Sequence, residues 1–435
     1  MRALIAGMAL LLSTAAGAQQ ASTPAVTFIH AGHLLDRPGQ PARGATTIVV
    51  RDGKVAELRD GFVAPDAGAK LVDLRDQWVL PGLIDLHVHL LGIGGDPMRA
   101  RLTALNTEPA DNTLYGAGNA RATLRAGFTT VRDLGGEARS IRALRDAVER
   151  GDVDGPTIVN AGEPISVTGG HGDPLNGIAE PYAHAMAETV ENTCDGPADC
   201  TRATRRQIGL GAQVVKITAT GGVLSNVSGG LGRAFTIEEM RAIVETAHNL
   251  GRKVAAHSHA AEGTRAALEA GVDTIEHGSF LDEPAIAALK RTGAWLIPTE
   301  IAPVAALAQA RAGALPPATI PKAEAAAAAM QDSHRRAYRA GVKFAFGTDS
   351  GVSRHGDNAQ EFALLVDKIG MTPTEAIRTA TVSAAEVLGK SAELGTIAPG
   401  KAADIIAVSG SPLANVRELE HVRFVMRRGV VAKQE

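Results

Sequence analysis

One local pattern recurs through the middle of the chain. A helix-like segment ends in glycine, and a run rich in Val, Ile, Thr or Phe begins within a few residues. The instances are RAGFTTVRD, LGAQVVKIT, LGRKVAAHSH, AGVDTIEHG, TGAWLIPTE and AGVKFAFGTD, with Gly127, Gly211, Gly251, Gly271, Gly293 and Gly341 at the junctions. Glycine suits the left-handed residue that stops a helix, and the residues after it suit strands. The runs are mostly continuously apolar rather than alternating, which predicts parallel strands buried on both faces. Thr236-Ile237-Glu238-Glu239 is a helix-starting capping box. Thr372, Pro373 and Glu375 repeat the signal, with Pro at the first helical position.

Two further runs complete the series: VLPGLIDLHVH holds the first strand and PTIVNAG the third, giving eight βα repeats between about residues 80 and 390. Right-handed crossovers join such strands, and eight of them close into a barrel with active-site groups at the carboxyl ends of the strands. An open doubly wound sheet is the alternative, but no Gly-rich phosphate fingerprint accompanies it. The flanks read differently. Residues 24–79 hold short strands (AVTFIHAG, TTIVVRDGKVAEL, KLVDLRDQWVL), and 391–435 hold ADIIAVSG and HVRFVMRRGVVA. Arg51-Asp52-Gly53-Lys54 and Arg427-Arg428-Gly429 read as tight turns. The predicted fold class is therefore α/β: a (β/α)8 TIM-like barrel over 80–390, inserted in a small β-sandwich domain formed by both chain ends. The Ala-rich stretch 302–331 reads as a helical pair around Pro316-Pro317, with a lid as the alternative.

The first 18 residues change the setting: Arg2, an apolar run from Ala3 to Leu12, and Ala16-Gly17-Ala18 match a signal peptide cleaved near Ala18. The run is short for a membrane span, and a buried N-terminal helix is the other reading. Export would place the mature chain in the periplasm or outside the cell. The cysteines, Cys194 and Cys200, then form either a disulfide or two unpaired thiols, in CDGPADC. Over 435 residues the formal net charge is −3, which leaves no basic surface for nucleic acid. Aromatic residues are 3%, too few for a base-stacking platform. No later segment reads as a membrane span.

Polar residues fall where the barrel strands end. Strand one ends in Asp85-Leu86-His87-Val88-His89, strand four in Lys216, and strand five carries His257 and His259. Strand six ends in Glu276-His277 and strand eight in Thr348-Asp349-Ser350. Residues two apart on a strand point the same way, so His87 and His89 reach one point. Imidazoles and a carboxylate converging on one pocket suit zinc or a similar divalent metal. Taken singly, each has a plainer reading: a histidine satisfied in the core, Asp349 capping a helix, Lys216 paired with a carboxylate. Their joint placement at the strand ends of one barrel favours a metal site. An ammonium repels cations, so Lys216 joins such a site only as a neutral amine or as a carbamate. A carbamate offers two oxygens to bridge two metals, and a two-metal centre activates water and polarises a carbonyl.

PGLIDLHVH, Lys216, the HSH of strand five, IEHG and GTDSG together resemble the amidohydrolase superfamily. They are similar to its imidazolonepropionase-like branch, with its secreted Xaa-Pro dipeptidases and its bacterial ochratoxin A-hydrolysing amidohydrolases. The chain as a whole looks most like the latter. The resemblance covers nearly all of the mature chain and is specific to the superfamily more than to a substrate. It implies two divalent metal ions, expected to be Zn2+. His87 and His89 would bind the more buried one and His257 and His277 the second, with N6-carboxylated Lys216 bridging. Asp349 would hold the first metal and shuttle the proton as a catalytic residue, with His259 stabilising the oxyanion. Substrate contacts are implied for His171, His259 and His355, and a homo-oligomer such as an octamer for the assembly.

The activity expected is amide hydrolysis on a small-molecule or peptide substrate. Carboxypeptidase-like action would release a C-terminal amino acid from N-acyl or peptide substrates, ochratoxin A included. His171 and Arg354 are candidates for the substrate carboxylate. The alternatives are an Xaa-Pro or Xaa-Arg dipeptidase, a deaminase or cyclic-amide hydrolase, and, in another class, a non-catalytic periplasmic metal- or ligand-binding protein.

Overall fold

The computed structural model describes residues 26–92, 106–176, 178–222, 230–313 and 320–435. The leader read over 1–18 and the turn at Pro316-Pro317 lie outside the described residues.

Both chain ends build one seven-stranded sheet. Its strands are β1 (Thr27–Leu34), β2 (Thr46–Arg51), β3 (Lys54–Asp60), β4 (Lys70–Pro81), β12 (Ile405–Val408), β13 (Phe424–Arg427) and β14 (Val430–Gln434), in the order β14-β13-β12-β4-β1-β2-β3. The two predicted turns are hairpins whose central residues are left-handed: Asp52 (φ 51°) with Gly53 (73°), and Arg428 (45°) with Gly429 (78°). Paired positive φ values match the right-handed twist of the flanking strands. A bridge between Lys54 and Ala402 curls the sheet back on itself. Ile29, Ile48, Val72, Ile405 and Phe424 are buried inside the curl.

Between the two ends lie the parallel strands β5 (Leu83–Val88), β6 (Phe128–Asp133), β7 (Thr157–Asn160), β8 (Val215–Thr218), β9 (Val254–Ala260), β10 (Thr274–Phe280) and β11 (Trp295–Ile297). They pair as β5-β6-β7 and β8-β9-β10-β11. The helices that cover them are α1 (Pro109–Arg125), α2 (Ala138–Arg150), α3 (Glu180–Met186), α4 (Pro197–Gly209), α5 (Ile237–Asn249), α6 (Ala261–Ala270), α7 (Glu283–Thr292), α8 (Ile301–Arg311) and α9 (Ile320–Arg339). All six junction glycines have positive φ, from 68° at Gly251 to 109° at Gly211. Thr236 caps α5 through the reciprocal bonds of a capping box with Glu239.

The eighth run departs from expectation. KFAFGTD (343–349) forms no laddered strand and joins its neighbours by single bridges, Leu296 to Phe344 and Val88 to Ser350. Leu86 N–H donates to Phe346 O (3.0 Å) and Asp349 N–H to His87 O (2.7 Å), so the segment still lies along β5. Asp349 is left-handed (φ 58°), and this breaks the extended backbone that a ladder needs. The β7–β8 seam is likewise made by the Ile165–Ile217 bridge, so the hydrogen-bonded ring is not one continuous ladder.

Cys194 and Cys200 form a disulfide that ties the loop after α3 to the start of α4. No helix among the described residues is long and apolar enough to cross a membrane.

Candidate active site

The carboxyl ends of β5, β8, β9 and β10 and the 348–350 turn open onto one cavity of about 470 Å³. His87, His89, Lys216, His257, His259, His277, Asp349 and His171 all line it. Two donor groups stand out: His87, His89 and Asp349 form one and His257, His259 and His277 the other, each with its ligand atoms within 4.8 Å of one another. Asp349 Oδ1 is 3.1 Å from His89 Nε2 and 3.5 Å from His87 Nε2. The groups adjoin, with the His87 and His277 ring centroids 5.0 Å apart. Lys216, buried, reaches His87 Nε2 at 3.5 Å.

The far side of each ring is anchored. His87 Nδ1 meets Glu276 Oε2 (2.9 Å), and His89 Nδ1 donates to Gly135 O (2.9 Å). His277 Nδ1 meets Thr299 Oγ1 (2.8 Å), and His259 Nδ1 meets Ser279 Oγ (2.7 Å). These bonds leave Nε2 facing the cavity, the second-sphere pattern that orients histidine ligands. His257 is turned the other way, with Nε2 near Gly221 O (3.4 Å), which leaves Nδ1 for the cavity.

Backbone strain concentrates at the site. Five non-glycine residues among those described have positive φ; two are the hairpin residues above, and the others are His277 (69°), Thr299 (53°) and Asp349 (58°). Such conformations persist where the surroundings enforce them. Close approach also requires glycine: a Cβ at Gly347 would lie 2.3 Å from the Ile297 side chain, and one at Gly351 2.8 Å from His89 Cβ.

Electrostatics prepare the set for cations. Burial pushes His257 and His277 well down and His259 to about 3, so these rings are neutral at ordinary pH. Burial, then the Lys216 charge, brings His87 to about 4. Burial lowers Lys216 to about 8. For Asp349, burial works upward, but the His87, His89 and Lys216 charges and the His89 hydrogen bond outweigh it and bring the carboxyl to about 2. Against burial, the Asp349 hydrogen bond and charge hold His89 above its ordinary value. An ionised carboxylate, histidines able to ligate in their neutral form and a buried lysine are a donor set that fits two divalent cations.

His171 lies tilted by 30° against His257 at 4.3 Å between centroids, and its buried Nδ1 has no partner among the described residues. His355 does not line the cavity: its Nε2 donates to the His89 carbonyl at 3.1 Å, so the ring holds the β5 exit. Arg354, offered as a carboxylate partner, is exposed and outside the lining. Sequence reasoning assigned no role to Asp85, which accepts from Thr348 Oγ1 (2.7 Å), Asn358 Nδ2 (2.8 Å) and the His87 N–H (3.1 Å). It also passed over Arg132, which donates to Glu276 Oε1 at 2.8 Å. A readable signal for Asp85 is its place two residues before His87, on the same strand face.

Residues 78–433 match the Amidohydrolase family, a span that takes in β5 to β11 and all the histidine, lysine and aspartate side chains that line the cavity. The chain belongs to the amidohydrolase family. It is a metal-dependent hydrolase by that membership and by its two histidine-rich donor groups. The ochratoxinase of Aspergillus niger is 32% identical over 422 residues, covering 92% of this chain and 84% of the relative. A solved Xaa-Pro dipeptidase with methionine bound in its active site is 37% identical, with a TM-score of 0.86 over 94% of this chain and 99% of that one. A solved prolidase complexed with N-methylphosphonate-L-proline is 30% identical, with a TM-score of 0.84 over 94% and 100%.

Proposed function

We propose that this amidohydrolase cleaves amides in the manner of a carboxypeptidase, releasing a C-terminal amino acid from N-acyl or peptide substrates. Ochratoxin A would be one substrate, split into ochratoxin alpha and L-phenylalanine. The observation that carries the reading is the meeting of the His, Lys and Asp donors in a cavity that also has a broad apolar wall. Leu134, Pro164, Ala302, Pro303, Ala306 and Met330 form that wall. Such a lining suits an apolar or aromatic side chain beside the scissile bond. The similarity to the A. niger ochratoxinase supports the same substrate class.

His87, His89 and Asp349 would hold one cation and His257 and His277 the other, zinc in our reading, with N6-carboxylated Lys216 between them. Two such ions supply Lewis acidity that makes water nucleophilic near neutral pH and polarises the carbonyl. The chain's own groups do the rest. Asp349 accepts the proton of the attacking water and hands it to the departing nitrogen as the C–N bond breaks. With the Ser279 hydroxyl donating to His259 Nδ1, the ring proton would sit on Nε2, where His259 would donate it to the oxyanion. His171, which lines the cavity, would contact the carboxylate of the leaving amino acid. With the leader read over 1–18, the enzyme would act outside the cytoplasm.

A second reading, Xaa-Pro dipeptidase, is favoured by the 37% identity to the solved Xaa-Pro dipeptidase. Mass-spectrometric product analysis on a panel of ochratoxin A, N-acyl-phenylalanines and Xaa-Pro dipeptides separates the two. Release of phenylalanine with little Xaa-Pro cleavage supports the first reading; the reverse preference replaces it with the second.

A further inference from the structure

Helix α9 both walls the cavity and grips the strand that carries a metal donor. Ala326 and Met330 line the cavity. His334 is the next residue at the i, i+4, i+8 spacing of one helix face. It does not line the cavity and has no solvent exposure. Its Nε2 lies 2.6 Å from the carbonyl oxygen of His277. A carbonyl only accepts, so Nε2 carries a proton and donates it. On the other side Nδ1 lies 2.6 Å from Glu300 Oε1, with one proton between them. The adjacent Ser333 hydroxyl donates to Ser279 O (3.0 Å) and accepts from the Leu281 N–H (3.1 Å).

The grip falls where the sheet stops supporting the backbone. The β10–β11 ladder ends at Glu276–Ile297, and the β9–β10 register shifts after His277. His277 itself is left-handed, at φ 69°. His277 pairs with Ser258 as the last residue before the β9–β10 shift, but on the β11 side no ladder reaches it, and a buried carbonyl without a donor is costly. His334 supplies the donor, and Glu300 fixes the His334 ring. Glu300 directly follows Thr299, whose hydroxyl meets His277 Nδ1. The ring of His277 and its main chain are therefore held by two adjacent residues of one segment, Thr299 directly and Glu300 through His334.

We infer that His334 is a positioning residue for the cation held by His257 and His277, acting through the His277 main chain. This rests on the two-cation reading above. His334→Ala, His334→Gln and His334→Asn test it, with zinc affinity measured by competition against a chromophoric chelator. The Gln amide nitrogen can stand where Nε2 does, and the Asn amide nitrogen where Nδ1 does. Wild type should bind two zinc ions per chain. In H334A and H334N the affinity for one of them should fall by about 10–100-fold, the range for loss of an outer-sphere partner. H334Q should retain most of that affinity, and kcat should follow the metal while KM stays near wild type. Equal affinities in all three variants and wild type overturn the inference, as does equal loss in H334N and H334Q. If H334A does not fold, the comparison of H334Q with H334N decides. Failure of wild type to bind zinc at all would instead count against the two-cation reading.

Discussion

Glu276 Oε2 lies 2.9 Å from His87 Nδ1, joining residues 189 positions apart, and both side chains are essentially without solvent contact. The other carboxylate oxygen takes the Arg132 guanidinium at 2.8 Å. Glu276 thus orients a donor of one group while its neighbour His277 belongs to the other. Glu276→Gln keeps the volume and removes the charge. Metal affinity and turnover should fall about 10–100-fold. Glu276→Ala should also destabilise the fold by about 3–5 kcal/mol, because Arg132 is left buried and unpaired. Metal titration and chemical unfolding of the two variants check both statements.

The same carboxylate gives the metal-free protein a pH signature. Burial would raise Glu276, but Arg132 and His87 overcome it and set it at about 2, against an ordinary 4.5. A carboxyl lowered in the folded state stabilises the fold above its unfolded pKa, and that stability is lost as pH falls through the folded value. Metal-free wild type should therefore lose stability steeply between about pH 4.5 and 2, and E276Q less steeply. Urea midpoints measured across that range test this, and parallel curves would refute it.

Much of this arrangement was legible in the chain itself. Junction glycines and apolar runs are local signals, and they located the strands that carry His87, Lys216, His257 and His277. The convergence of these side chains on one cavity was legible because a strand end is a place in a barrel, and position there implies convergence. The eighth run takes its place beside β5 without forming a ladder, because an apolar run says nothing about the left-handed turn at Asp349. The supporting residues were not legible. Arg132, Thr299, Ser279 and His334 act through contacts made across the barrel, and no spacing along the chain announces them. His355 was read as a substrate contact, whereas its ring is turned to the His89 carbonyl.

Ala306 and Ala302 are small, and both line the cavity. Ala306→Phe should fill part of the space assigned to the substrate's apolar group. KM for N-acyl-phenylalanine should rise more than tenfold, and KM for N-acyl-alanine should change less. Steady-state kinetics on the two substrates checks this; equal changes would place the apolar group elsewhere.

Asp349 tests the proton path. Asparagine tolerates a left-handed backbone, so Asp349→Asn keeps the φ 58° turn while removing the carboxylate's charge and its ability to take a proton, and the variant is assayed with its metal content measured. Turnover should drop by about 10²–10⁴, the usual scale for a lost general acid–base group, while substrate still binds. Rapid-mixing kinetics with equilibrium binding separates the two quantities. Full activity in the metal-loaded variant would remove Asp349 from the role.

The most direct test counts divalent ions per chain and follows hydrolysis of an N-acyl-phenylalanine as they are removed and returned. Two ions per folded chain, activity abolished by rigorous chelation, and recovery on re-addition are the results expected. Undiminished hydrolysis by demetallated protein would contradict the account.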